Sequence, residues 1–198
     1  MLPAVEKNIP VLILNSRRSH VEGTRIISEG VRSSNVVKAI ACKQNIVLVN
    51  IHSTRMLMAH GFLRRIFEIF DRYATPVDML ATTEVSVSLT VDESDKLENI
   101  VKELSEFAEV SLENRQSIVS LVGENIRYTP GVAARVFKAL EDINVRMISQ
   151  GASLLNLSFV VATGDVKRAV EALHNEFFSE LDPAVFDTSV LEAAGVSK

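Results

Sequence analysis

Three residues in the first half of this sequence have the types and spacing to hold a small charged molecule: Gly61, Asp78 and Glu84. Gly61 stands at the predicted start of a helix, after Met56-Leu57-Met58-Ala59-His60. A glycine there lets the backbone approach a ligand closely, and the N–H groups of Gly61, Phe62 and Leu63 can hold a carboxylate. Asp78 opens the following strand, and Glu84 sits at the turn after it. A helix N-terminus facing two carboxylates can hold a zwitterion that carries an additional cation. The first acid would neutralise an α-ammonium and the second a side-chain ammonium, as charge-assisted hydrogen bonds. The alternative is that Asp78 and Glu84 pair with surface Arg or Lys, since exposed pairs are common and contribute little. The residues alone leave both readings open.

Other chemistries lack their residues. The eight glycines, at 23, 30, 61, 123, 131, 151, 164 and 195, are never followed by Gly or Lys, so a Walker-type phosphate loop is absent. There is no GxGxxG dinucleotide fingerprint and no GxSxG nucleophile elbow. His20, His52, His60 and His174 show no metal-ligand spacing with Cys42 or with each other. No catalytic residue and no metal ligand is therefore assigned. Net charge is −4 with the signs interspersed, aromatics are 6% and Trp is absent, which argues against a nucleic-acid partner. No apolar run is long enough to span a membrane: Met147 to Gly164 is broken by Ser149, Gln150, Gly151, Ser153 and Asn156. With a single cysteine and no signal-peptide pattern, a cytoplasmic protein is expected. A length of 198 residues, 47% of them hydrophobic, allows one large or two small domains.

The elements that must position these residues are organised by a repeat. Ile46–Ile51 answers to Ile118–Val122, Gly61–Phe67 to Gly131–Phe137, Val77-Asp78-Met79-Leu80 to Val145-Arg146-Met147-Ile148, and Val87–Leu89 to Leu157–Phe159. The offset stays at about 70 residues. Each copy reads β-α-β-β-α-β. In the first, 46–52 is a strand, 61–73 a helix, 77–82 and 85–91 strands around a tight turn; Ser94 or Asp95 begins the next helix, and 108–112 closes the unit. The apolar stripes of the helices are expected core: Phe67, Phe70, Ile100, Leu104, Val136, Phe137, Leu140 and Leu173.

The second copy runs through Ala169–Phe178 and lacks a sixth strand. A spare one lies upstream at Asn35–Cys42. It is expected to complete the second sheet, so that the first unit is inserted within the second and no edge is left unpaired. The second repeat carries Arg146 where the first has Asp78, and its turn is Gln150-Gly151-Ala152-Ser153. Arginine there would repel an ammonium, so only the first repeat is expected to bind such a ligand.

Val77-Asp78-Met79-Leu80-Ala81-Thr82-Thr83-Glu84 and its continuation to Asp92 resemble the first ACT domain of lysine-sensitive aspartokinases, as does Ile51–Leu63. Asn144–Ser153 with Asn156–Val160 resembles the family's second ACT domain. Leu2–Asn15 and Glu22-Gly23-Thr24 are similar to the end of its kinase domain, so the match runs over roughly residues 2–178 in family order. The resemblance implies an α+β fold of two ACT (ferredoxin-like βαββαβ) domains, the first inserted into the second. Residues 1–30 would be a remnant of the kinase domain, 44–113 the effector-binding ACT unit, 33–43 plus 114–178 the second, and 179–198 a tail or linker.

The family's Lys-Phe-Gly-Gly-type nucleotide motif has no counterpart here, so the resemblance implies a regulatory fragment that is not itself an enzyme. ATP and Mg would serve the absent kinase domain, and no cofactor is expected for this chain. The implied effector is L-lysine, bound where two first ACT domains pair in a homodimer, restraining the kinase domain of the parent chain. Carried over by position, Met56, Ala59, Gly61, Phe62 and Leu63 would shape the loop and carboxylate site. Val77 and Asp78 would meet the α-ammonium, and Thr82, Thr83 and Glu84 the far end of the ligand. Met58, Ala59 and Pro76 depart from residues frequent in lysine-sensitive members. A threonine-responsive module and a dimerisation module without ligand are the alternatives; Glu84 separates the first, because threonine has no side-chain ammonium to meet it.

Overall fold

A computed structural model of the chain describes residues 2–17, 23–27, 33–54, 60–151, 153–183 and 185–186. It divides into two units, Met1–Ser34 with Leu181–Lys198, and Asn35–Glu180.

In the first unit a short helix, α1 (Leu2–Glu6), precedes β1 (Val11–Ile13) and β2 (Thr24–Ile26), which pair antiparallel with Val11 opposite Ile26. The apolar run Ile9–Leu14 thus supplies a strand with a local partner. Leu12, Ile13 and Leu14 nevertheless remain half exposed, at 57%, 50% and 57%. Residues beyond 178 also take part in this unit. Asp182 Oδ2 accepts hydrogen bonds from Ser33 Oγ at 3.0 Å and from the Ser34 N–H and Oγ at 2.8 and 3.1 Å.

The second unit contains, in order, β3 (Val37–His52), α2 (Phe62–Arg72), β4 (Met79–Thr82), β5 (Ser86–Asp92), α3 (Leu97–Leu104), β6 (Glu109–Gly123), α4 (Val132–Ala139), β7 (Met147–Gln150), β8 (Asn156–Ala162) and α5 (Val166–Phe177). Its sheet has the order β4-β5-β3-β6-β8-β7, antiparallel throughout. Two strands are far longer than the periodicity indicates. The segments 35–42 and 46–52 run together as β3, and 108–112 and 118–122 as β6. The polar stretches between them are absorbed as bulges, with Asn45 at φ 61 and Arg115 at φ 56 and register shifts between Lys43/Ile46 and Ile46/Leu48.

Each long strand therefore serves two neighbourhoods. Ile46–His52 lies between β5 and the start of β6, while Ile118–Gly123 lies between Val37–Lys43 and β8. Helices cover one face of each half, a ferredoxin-like α+β arrangement. Strand alternation sends Val47, Val49 and Ile51 toward α2 and α3, where Ile66, Phe70, Ile100 and Leu104 complete one core. Val119, Leu121, Leu157 and Phe159 meet Val136, Leu140 and Leu173 in the other. The opposite faces of the two halves meet through Ile46, Leu48, Met79, Ile118, Met147 and Val160.

Three expectations need correction. Phe67 is 38% exposed rather than core, because Ile66, Ile69 and Phe70 fill the sheet-facing stripe of α2 and Phe67 falls at its flank. Phe137 is only partly buried. The third helix begins at Leu97, not at Ser94 or Asp95: the Leu97 N–H bonds the Ser94 carbonyl in a turn at 3.3 Å, and no side chain caps the helix.

Candidate effector site

The start of α2 is fixed by Gly61, whose φ of 81 lies in the left-handed region that favours glycine. The first intrahelical bond runs from the Arg65 N–H to the Gly61 carbonyl at 3.0 Å. The N–H groups ahead of it have no acceptor within the helix. Phe62 is oriented by an edge-on contact with Phe107 at 5.6 Å, and the Arg65 guanidinium lies 3.8 Å over the same Phe107 ring. Leu63 is 36% exposed beside it.

The β4–β5 turn lies at this same end of the sheet. The Thr83 N–H donates to the Ser86 carbonyl at 2.8 Å, and Thr83 Oγ1 accepts from the Ser86 N–H at 3.0 Å. Two further bonds tie the turn to the end of β3: the Ser53 N–H to the Val85 carbonyl at 2.9 Å, and His52 Nδ1 with Ser86 Oγ at 3.1 Å. Thr82, Thr83 and Glu84 are exposed on this hydrogen-bonded turn, and Glu84 has no polar partner among the described residues. A surface cleft of about 310 Å³ opens nearby, lined by His52, Ser53, Thr54, Phe107 and neighbours. None of the eight described residues among the ten chosen from sequence lines it.

Val77 and Asp78 stand at the other end of β4. Asp78 and Thr83 are separated along that strand by about 16 Å at a rise of roughly 3.3 Å per residue. The Asp78 N–H donates to the Thr90 carbonyl at 2.9 Å, and the Met79 N–H to buried Thr90 Oγ1 at 3.0 Å. The Asp78 carboxylate is engaged: Lys43 Nζ lies 2.7 Å from Asp78 Oδ2 and 2.7 Å from Asp92 Oδ1. Hydrogen bonds first to Asp78 and then to Asp92 hold the Lys43 ammonium above the ordinary lysine pKa.

One chain thus places Gly61, Phe62, Leu63, Thr82, Thr83 and Glu84 at one end of the sheet, and Val77 and Asp78 at the other. Met56 and Ala59 lie outside the described residues. Sequence reasoning missed Lys43 and Asp92. Lys43 is 35 positions from Asp78, and only strand pairing brings them together. At the counterpart place in the second repeat, Arg146 Nη1 lies 3.7 Å from Glu113 Oε2.

Comparison with known proteins gives the class first: residues 119–177 match the ACT domain family. A solved structure assigned as a C-terminal regulatory domain of aspartate kinase from Porphyromonas gingivalis W83 is 40% identical, with a TM-score of 0.65, over 72% of this chain and 99% of its own. Aspartokinase 3, chloroplastic, of Arabidopsis thaliana is 40% identical over 90% of this chain and 34% of its own length. Escherichia coli aspartokinase III in complex with lysine and aspartate is 36% identical, with a TM-score of 0.76, over 89% of this chain and 41% of its own. The chain belongs to the aspartokinase family and matches that family's regulatory region. It spans about a third of the length of the Arabidopsis relative. Among the described residues no helix is long and apolar enough to cross a membrane.

Proposed function

We propose that this chain is the allosteric regulatory region of an aspartokinase and binds L-lysine between two copies of its first ACT unit. Binding restrains aspartate phosphorylation by a kinase domain outside residues 1–198, in the synthesis of lysine, threonine and methionine. That domain, not this chain, uses ATP and Mg. The observation that carries the reading is the division of the candidate site between the two ends of β4, the terminal strand of its sheet. A two-fold axis that pairs two β4 edges antiparallel sets the Asp78 end of one protomer against the Gly61 and Glu84 end of the other. The assembled site offers helix N–H groups to a carboxylate, Asp78 to an α-ammonium and Glu84 to a side-chain ammonium. Lysine has these three groups. The likeness to E. coli aspartokinase III crystallised with lysine supports the reading.

In this reading 44–113 is the effector-binding ACT unit, inserted in a second made of 33–43 plus 114–178. Residues 1–30 are a remnant of the kinase domain, 179–198 form a tail or linker, and the protein works in the cytoplasm. Regulation is differential binding: lysine shifts the enzyme only by its preference for one dimer arrangement over the other.

Calorimetric titration of the chain with L-lysine, with L-threonine as control, tests this. The expected result is lysine binding alone, at about one site per chain, weakened roughly 10- to 100-fold by Glu84→Ala through loss of a charged hydrogen bond. Sedimentation would show the dimer. Heat from threonine alone would reassign the effector, and heat from neither would leave a dimerisation scaffold.

A further inference from the structure

We propose that Lys43 is an internal competitor for the effector: its ammonium fills the acidic end of the site and is displaced by the ligand's α-ammonium. The inference rests on the reading of Asp78 as an effector contact. Lys43 Nζ is within 2.7 Å of both Asp78 and Asp92, so a second ammonium approaching Asp78 meets an occupied position. The occupant has the chemistry of the ligand group it replaces, three N–H donors carrying one positive charge.

The exchange is physically accessible. The Lys43 side chain is 42% exposed and that of Asp78 28%, so water reaches the pair and no core residue must move. Such part-exposed pairs are weak, which lets a ligand with additional contacts at the far end prevail. The raised pKa of Lys43 keeps the competitor charged at every pH where the effector's α-ammonium is charged.

The position of Lys43 gives the exchange a consequence. It lies at the bulge of β3, where Val37–Lys43 runs beside Ile118–Gly123 of the second half, yet its ammonium reaches Asp78 and Asp92 of the first. Glu113 holds the matching place in β6: it precedes the left-handed Arg115 by two residues, as Lys43 precedes Asn45. Glu113 faces Arg146 and accepts a hydrogen bond from Asn50 Nδ2 at 3.1 Å. Three ion pairs therefore cross between the halves: Lys43 with Asp78 and with Asp92 and, with the polarity exchanged, Arg146 with Glu113. An ammonium ligand competes for the Asp78 pair only, and its arrival removes one of the two anchors of Lys43 while Asp92 and the Arg146–Glu113 crossing hold.

The test is calorimetric titration of the full chain with L-lysine, comparing wild type, Lys43→Met and Lys43→Arg. Removing the competitor should tighten the apparent Kd about two- to fivefold, the range expected for an exposed pair. Arginine, which keeps the charge, should stay near wild type. Unchanged or weaker binding by Lys43→Met, with wild type binding normally, overturns the inference and leaves the lysine site standing. Silence from wild type and Lys43→Met alike overturns both. As a second readout, the Lys43 15Nζ resonance, assigned by its absence in Lys43→Arg, should shift at saturating lysine as Asp92 becomes the sole carboxylate partner of the ammonium. An unshifted resonance at saturation overturns the exchange even if the Kd shifts.

Discussion

The two halves of the sheet share a framework and differ in chemistry. Gly61 and Gly131 open α2 and α4 with φ of 81 and 82, and Met79 and Met147 occupy matching places in the central cluster. At the start of the edge strands the halves diverge: Asp78 faces Lys43, whereas Arg146 faces Glu113. Backbone geometry has been kept in both copies, and a carboxylate suited to an ammonium only in the first. A retained helix-start glycine is thus a requirement of the fold before it is a sign of a ligand. The acid is the discriminating residue.

The sharpest way to break the comparison is to remove one aromatic from each core. Phe70 and Phe159 are 1% and 0% exposed. Phe70→Ala and Phe159→Ala should each cost about 3–5 kcal/mol in urea unfolding. Both should shift a single transition. The reason is covalent and spatial: β3 and β6 run through both halves, and Ile46, Leu48, Ile118 and Val160 bind their inner faces together. A two-step curve for either variant would mean that the halves unfold separately and that the shared strands do not couple them.

A smaller effect sharpens the distinction between framework and chemistry. Among the described residues, a Cβ added at Gly61 or Gly131 meets nothing within 4 Å, so the cost of alanine there is that of the left-handed backbone. Gly61→Ala and Gly131→Ala should each lose about 1–2 kcal/mol by urea denaturation and agree closely. Their effect on lysine titration should differ, with affinity falling for Gly61→Ala and holding for Gly131→Ala. Equal losses of affinity would show that the glycine acts on binding only through the fold.

The repeat made most of this architecture legible, because apolar alternation and helical stripes recur at matched positions. Continuity of the long strands was not legible. Lys43-Gln44-Asn45 and Glu113-Asn114-Arg115 are polar and read as breaks, whereas the chain passes through them as bulges with one residue in the left-handed region. Phe67 misled for a related reason: periodicity fixes the mean direction of a stripe, but the sheet below decides how wide a stripe it covers. In the candidate site, residue types could be read and occupancy could not. That Asp78 is held by Lys43 depends on a cross-strand approach between residues with no local relation in sequence. The separation of Asp78 from Glu84 follows from the length and direction of β4, which places them at opposite ends of one strand.

The smallest effect concerns the ion pair that distinguishes the halves. The Lys43 pKa is raised in the fold, so the stabilisation it brings is complete below the ordinary lysine value of 10.5 and is lost as pH climbs through the higher folded value. Tyr73, whose hydroxyl donates to Glu103 Oε1 at 2.7 Å, is raised from 10.0 and acts with the same sign. Urea midpoints should therefore fall from about pH 10 upward, most of the way to pH 12. With Lys43 42% exposed, solvent screening holds its share to less than about 1 kcal/mol. Tyr73→Phe removes one contribution, and Lys43→Arg removes the other by replacing the ammonium with a guanidinium that keeps its charge throughout. The double variant should flatten the alkaline decline between pH 10 and 11.5, starting from a lower midpoint at pH 8 because Tyr73→Phe removes its hydrogen bond to Glu103 at every pH. An undiminished fall in the double variant would place the alkaline sensitivity elsewhere and remove this electrostatic difference between the two halves.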